Sequence, residues 1–218
     1  MTTDIHVENF NNQSIGEEIA NGITHGIGAL GSIAGTVFLL YFSVISHDPW
    51  AITGSAIYGA SLILLYTMST LYHSFTNQKV KAVFQIFDHC SIFFLILGTY
   101  APFCLIVLRG TAGWVLFGAN AGFALVGLIL NTISIKRFHT FSLALYLLMG
   151  WSIVFAIKPI SAALSFGGVL LLVLGGLSYT IGVIFYRAKH PRYMHSIWHL
   201  FVLAGSVFHY FCILFYVL

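Results

Sequence analysis

From Glu17 onward the chain is a succession of long apolar runs, each closed by a short polar cluster such as SHDPW, SFTNQK, IKRFH or RAKHPR. A helix needs about 20 predominantly apolar residues to cross the hydrocarbon core of a bilayer. Runs of this length constrain the fold strongly, because inside lipid a helix is the element that satisfies all its backbone polar groups within one segment. Composition points the same way. Hydrophobic residues make up 59% of the chain and charged residues 7%, against about 25% charged in soluble domains. So little charge cannot cover a surface that faces water. The formal net charge is +3, but the basic residues are scattered between apolar runs. They form no stripe able to follow a phosphate backbone, which argues against a nucleic-acid partner.

Seven runs are legible, at roughly 17–46, 50–75, 82–108, 113–134, 140–157, 161–186 and 193–217. The expected fold is all-α: a seven-transmembrane-helix bundle forming one domain over 17–218, preceded by a short polar tail, 1–16. Connections this short make each helix antiparallel to its sequence neighbour. The opening stretch, MTTDIHVENFNNQSIGEEIA, lacks a basic segment before its first apolar run. It is therefore expected not to be a cleaved signal, and the first helix directs insertion. Loops after the even-numbered runs hold Lys79, Lys81, Lys136, Arg137, Arg187, Lys189 and Arg192, whereas loops after the odd-numbered runs hold Arg109 and Lys158. Basic loops stay on the cytoplasmic side. The N-terminus is thus expected in the cytoplasm and the C-terminus outside, the reverse of the G-protein-coupled receptor arrangement. Pro102 is expected to kink the third helix. Glycine pairs at GxxxG spacing (Gly22 with Gly26, Gly31 with Gly35, Gly118 with Gly122) suit close helix packing within the bundle and leave room for a homodimer. Cys90, Cys104 and Cys212 each lie alone in an apolar run, as small buried hydrophobes do.

Ionisable residues inside membrane helices are rare and tend to face the bundle interior. Ser69 and His73 end the second run in STLYHSF, Asp88 begins the third in IFDHCS, and His195 and His199 begin the seventh in YMHSIWHL. Glu17, Asn21 and His25 begin the first at four-residue spacing, along one helical face. With the orientation above, all fall in the inner leaflet. At 1.5 Å per residue His73, Asp88, His195 and His199 lie roughly 5–12 Å below its boundary. Histidines at i and i+4 can ligate one ion, and His73 would supply a third imidazole from a neighbouring helix. Three histidines with an open fourth position are a catalytic zinc arrangement. In it Asp88 would accept a hydrogen bond from a water acidified by the metal, and Ser69 would orient a ligand or a substrate carbonyl. A proton relay or a structural polar cluster is the competing reading. His89 faces away from Asp88 and would stand behind the site. His6, His47, His139 and His190 fall in loops or tails, and His209 in the core of the outer half.

The set EEIANGITHGIGA, STLYHSF, FDHCSIFFLILGTYAPF and HSIWHLFVLAGSVFHYF resembles the hemolysin III family, the bacterial branch of the progestin and adipoQ receptor proteins. The resemblance runs from Glu17 to the C-terminus. It implies a seven-helix bundle with the N-terminus inside and Zn2+ held by His73, His195 and His199. It further implies that Asp88 lies beside a zinc-bound water, with Ser69 as the serine of the SxxxH motif. Glu17, Asn21 and His25 match a first-helix motif of the bacterial branch. The wider superfamily includes alkaline ceramidases. The function expected is therefore a metal-dependent hydrolase of a lipid amide or ester bond in the bacterial cytoplasmic membrane, with a membrane lipid as substrate or ligand. Two alternatives stand beside it: a hemolysin that permeabilises membranes (cytolysis), and a receptor or sensor in which zinc is structural.

Overall fold

The computed structural model describes residues 13–188 and 190–218. Most of the expected tail, including His6, lies outside the described residues, as does Lys189. Among the described residues every regular element is helical: α1 (Ile15–Ile45), α2 (Pro49–Ser74), α3 (Gln78–Pro102), α4 (Thr111–Trp151), α5 (Ile157–Ala163), α6 (Phe166–Arg187) and α7 (Met194–Tyr216). The protein is an all-α, multi-pass membrane protein.

Local chemistry explains several boundaries. Ser14 caps α1: its Oγ accepts the Glu17 N–H at 3.3 Å, and the Glu17 carboxylate accepts the Ser14 N–H at 2.9 Å. This reciprocal pair is a capping box. Asn77 starts α3 four residues ahead of the apolar run, because its side chain accepts the Lys79 and Val80 N–H groups. The kink expected at Pro102 takes the form of a π-helical turn, Phe103–Val107, that follows it directly. Lys158–Pro159, expected to end the fifth run, does not interrupt it. The chain stays helical to Ala163, with Pro159 in the first turn of α5, where the missing N–H costs nothing.

Among the described residues six helices are long and apolar enough to cross a membrane, and the longest stretch, Thr111–Ala163, has 53 residues. Straight, it would reach about 80 Å, far more than a hydrocarbon core of about 30 Å. It is not straight, because Ser134 breaks it with extended backbone (φ −168°, ψ 108°). The Ser134 Oγ then accepts the Arg137 N–H at 3.2 Å, restarting the helix as a cap does. The two halves double back on each other. Ser142 Oγ donates to Asn131 Oδ1 at 2.6 Å, and Asn120 Nδ2 donates to Ser152 Oγ at 2.9 Å. The expected runs 113–134 and 140–157 are thus the arms of one antiparallel hairpin. The polar cluster between them, read as a loop, is helical on both sides of Ser134.

The surface is strongly apolar, and polar side chains are enclosed within the bundle beside its hydrophobic core. Large side chains such as Phe155, Phe166 and Leu30 stand open on the surface, while Asn21, His25, Ser69, His73, Asp88 and His199 are buried. Water would make that distribution untenable, and lipid makes it natural. α1 lies against α2 and α7, α2 against α3, α3 against α4, and α6 against α7, whereas α4 barely touches α6. Gly28 permits a close approach of α1 to α2 beside His25, since a Cβ there would overlap the Tyr66 ring. Of the GxxxG pairs, Gly22 and Gly26 face α2 and Gly35 faces Tyr210, while Gly31, Gly118 and Gly122 have open space before them. The three cysteines are free and buried.

Candidate metal centre

α2 and α7 bring His73, His195 and His199 together so that one ligand nitrogen from each lies within 4.8 Å of the others. The ring centroids of His73 are 5.2 Å from those of both His195 and His199. His73 and His199 are buried and His195 half-buried. The Nε2 atoms of all three are enclosed and have no hydrogen-bond partner in the protein. Buried polar atoms in native proteins are almost always satisfied. Three neighbouring orphans of one kind, each a lone-pair donor, fit a divalent metal of the zinc type. A bound metal there would be held by these three side chains.

The opposite ring edges of two of them are engaged. His73 Nδ1 lies 2.7 Å from Glu18 Oε2, and His199 Nδ1 lies 3.2 Å from Thr24 Oγ1. Asn21, fully buried, accepts from Ser196 Oγ at 2.5 Å and approaches His73 Nδ1 to 3.5 Å. His25 stacks flat on His199, with centroids 3.5 Å apart and 6° between planes. One face of α1 therefore backs the whole cluster.

The expected residues divide into those brought together and those held apart. His25 and Asn21 reach the cluster. Glu17 instead caps α1 and accepts the Tyr193 N–H at 2.9 Å, which ties the start of α1 to that of α7. The acid that reaches a cluster histidine is its neighbour Glu18, which the four-residue spacing counted from Glu17 passed over. A seven-residue step, Glu18 to His25, also returns to the same helical face and would have found it. Ser69 is buried with no partner for its Oγ, one turn before His73. Asp88 is buried at the head of an apolar cavity of about 120 Å³. Ile92, Leu95, Leu143 and Leu147 line its body, and His25, Tyr186 and Trp198 line the wall nearest the histidines. His89, 3.6 Å from the Asp88 carboxylate, joins Tyr186 and His139 in a polar string with steps of 3.5 and 3.0 Å. His139, read as a loop residue, is thus drawn into the interior side of α4. His209 packs in the core, 3.2 Å from the Leu172 carbonyl.

The family model described as Haemolysin-III related matches residues 13–210. The Bacillus subtilis (strain 168) protein named hemolysin-3 homolog is 47% identical over 203 residues, 93% of this chain and 95% of its own. Hemolysin-3 of Bacillus cereus is 45% identical, covering 94% of each chain. The monocyte to macrophage differentiation factor of Homo sapiens is 30% identical over 207 residues, 90% of this chain and 83% of its own.

Proposed function

The chain belongs to the haemolysin-III related family, and we propose that it is a zinc-dependent hydrolase of a lipid amide or ester bond in the bacterial cytoplasmic membrane. Two features support this reading: three partnerless imidazole nitrogens, and an apolar cavity lined by Asp88 and by His25 and Trp198, the side chains that pack on the cluster. A lipid tail suits the cavity, whose walls are aliphatic and aromatic along most of their length. Its polar end would then lie beside Asp88.

Zinc, when bound, supplies Lewis acidity and lowers the pKa of a water to about 7. Asp88 accepts the proton of the attacking water and later returns it to the leaving group. The buried Ser69 hydroxyl, free of protein partners, donates to the substrate carbonyl. The apolar cavity keeps competing water away from the scissile bond. In this reading the α4 hairpin supplies two crossings, so the chain crosses the membrane seven times. With the N-terminus in the cytoplasm, the histidine cluster lies in the inner leaflet.

Asp88→Asn is the direct test. It should leave bound zinc unchanged and lower turnover of a released-fatty-acid assay by about 100-fold or more. Full activity in that variant would remove Asp88 from the reaction. The name of the Bacillus cereus relative supports a second reading, permeabilisation of membranes. Dye release from liposomes made of ether-linked, non-hydrolysable lipids would favour that reading, and intact liposomes would favour hydrolysis.

A further inference from the structure

The histidine cluster is backed by a carboxylate that the family motif, as read from Glu17, Asn21 and His25, leaves out. Glu18 Oε2 lies 2.7 Å from His73 Nδ1, and Glu18 Oε1 lies 2.9 Å from Lys81 Nζ at the start of α3. Lys81 is itself held. Its ammonium donates to the Tyr72 carbonyl at 3.2 Å and sits 4.8 Å from the centre of the Tyr72 ring. The pair stands at the wall of a groove of about 660 Å³ lined by Gln13, Glu18, His73, Ser74 and Lys81. Three helices are therefore joined in one chain of contacts behind the imidazole: α1 brings Glu18, α2 brings His73, and α3 brings Lys81 against Glu18.

We infer that Glu18, clamped by Lys81, is the positioning residue that commits His73 to bind metal through Nε2. The inference rests on the metal-site reading above and names the group that prepares it. An ionised carboxylate accepts hydrogen bonds and donates none. Its contact with Nδ1 requires the proton of neutral His73 to sit on Nδ1. The lone pair is then on Nε2, the atom that is buried without a partner beside His195 and His199. The same contact fixes the ring plane and raises the basicity of the ligating nitrogen. Carboxylate–histidine pairs behind a metal commonly do both, and losing the carboxylate costs about 10- to 100-fold in metal affinity. The Asn21 amide is 3.5 Å from the same Nδ1, too long to compete with the 2.7 Å contact. Lys81 acts one step further back, pairing with the other carboxylate oxygen and holding Glu18 turned toward the bundle rather than out into the groove.

Zinc affinity of the purified full chain in detergent, measured by competition with a chromogenic chelator, tests this for wild type, Glu18→Gln and Glu18→Ala. The thermal midpoint of each metal-free form is followed alongside. Glu18→Gln keeps a hydrogen-bond acceptor but no charge, and should bind zinc about 10-fold more weakly. Glu18→Ala should lose about 10- to 100-fold, with metal-free midpoints close to wild type. Affinity within about twofold of wild type in both variants, well inside the loss expected, would overturn the role of Glu18. Wild type that takes up no zinc would instead overturn the metal site itself, so the two failures are distinguishable. Nitrogen-15 spectra of histidine-labelled, zinc-loaded wild type need no variant to fold. They should show His73 protonated at Nδ1 and bound through Nε2, and binding through Nδ1 would refute the inference.

Discussion

At the level of single residues, the chemistry of the site was legible wherever residue type and spacing suffice. His195 and His199 lie one helical turn apart, and the four-residue step alone puts them on one face. His73 needed the topology as well, because nothing in STLYHSF says which helix it meets. Glu18 was passed over because the four-residue spacing picks out its neighbour Glu17, and capping decides between the two: Ser14 takes Glu17, which leaves Glu18 to turn inward. The two acids should therefore separate experimentally. Ser14→Ala removes only the cap and should cost about 1 kcal/mol of stability without changing zinc content, measured by thermal unfolding and metal analysis. Gly28→Ala drives a Cβ into the Tyr66 ring. That ring packs edge-on against His25 at 5.0 Å, and its hydroxyl donates to Ser206 Oγ at 2.7 Å. Overpacking of this kind costs about 1–3 kcal/mol, so its midpoint in detergent should fall. An unchanged midpoint would mean that the ring yields freely.

Among the elements, hydropathy located the helices well and their joints poorly. A window of apolar residues reports lipid exposure, not backbone continuity. Lys158–Pro159 looked like a stop, yet proline is at home in a first turn, and α5 begins at Ile157 and runs to Ala163. Lys136 and Arg137 looked like a loop, yet both are good helix formers. Ser134 alone makes the turn there. The hairpin it creates is stapled by amides and hydroxyls facing each other across the arms. A double-mutant cycle on Asn131→Ala and Ser142→Ala should show a coupling of about 0.6 kcal/mol, the ordinary value for such a bond between membrane helices. Additive effects would mean that packing, rather than this hydrogen bond, holds the arms together. The cavity left between α3, α4, α6 and α7 could not be read from any single run. It exists because α4 and α6 scarcely meet, a property of the assembled bundle.

For the whole molecule, ionisable residues of α1, α2 and α7 gather at one end of the bundle, and the proposed metal joins α2 to α7 across it. Charge counting predicts a cytoplasmic orientation for that end. Cysteine substitutions at Lys79 and Lys136 should be labelled only from the cytoplasmic side by an impermeant reagent, and those at Arg109 and Lys158 only from outside. The opposite pattern would move the cluster to the outer leaflet. A ligand that binds only the folded state stabilises it by about 2.7 kcal/mol at a free concentration about 100 times its dissociation constant. Stripping the metal with a chelator should therefore lower the unfolding midpoint of wild type and leave His195→Ala unmoved. The most direct measurement is metal content. Protein purified without chelators should carry about one zinc per chain, bound by three histidines, and His73→Ala and His199→Ala should carry almost none. Wild type without metal, or variants that keep it, would contradict the account.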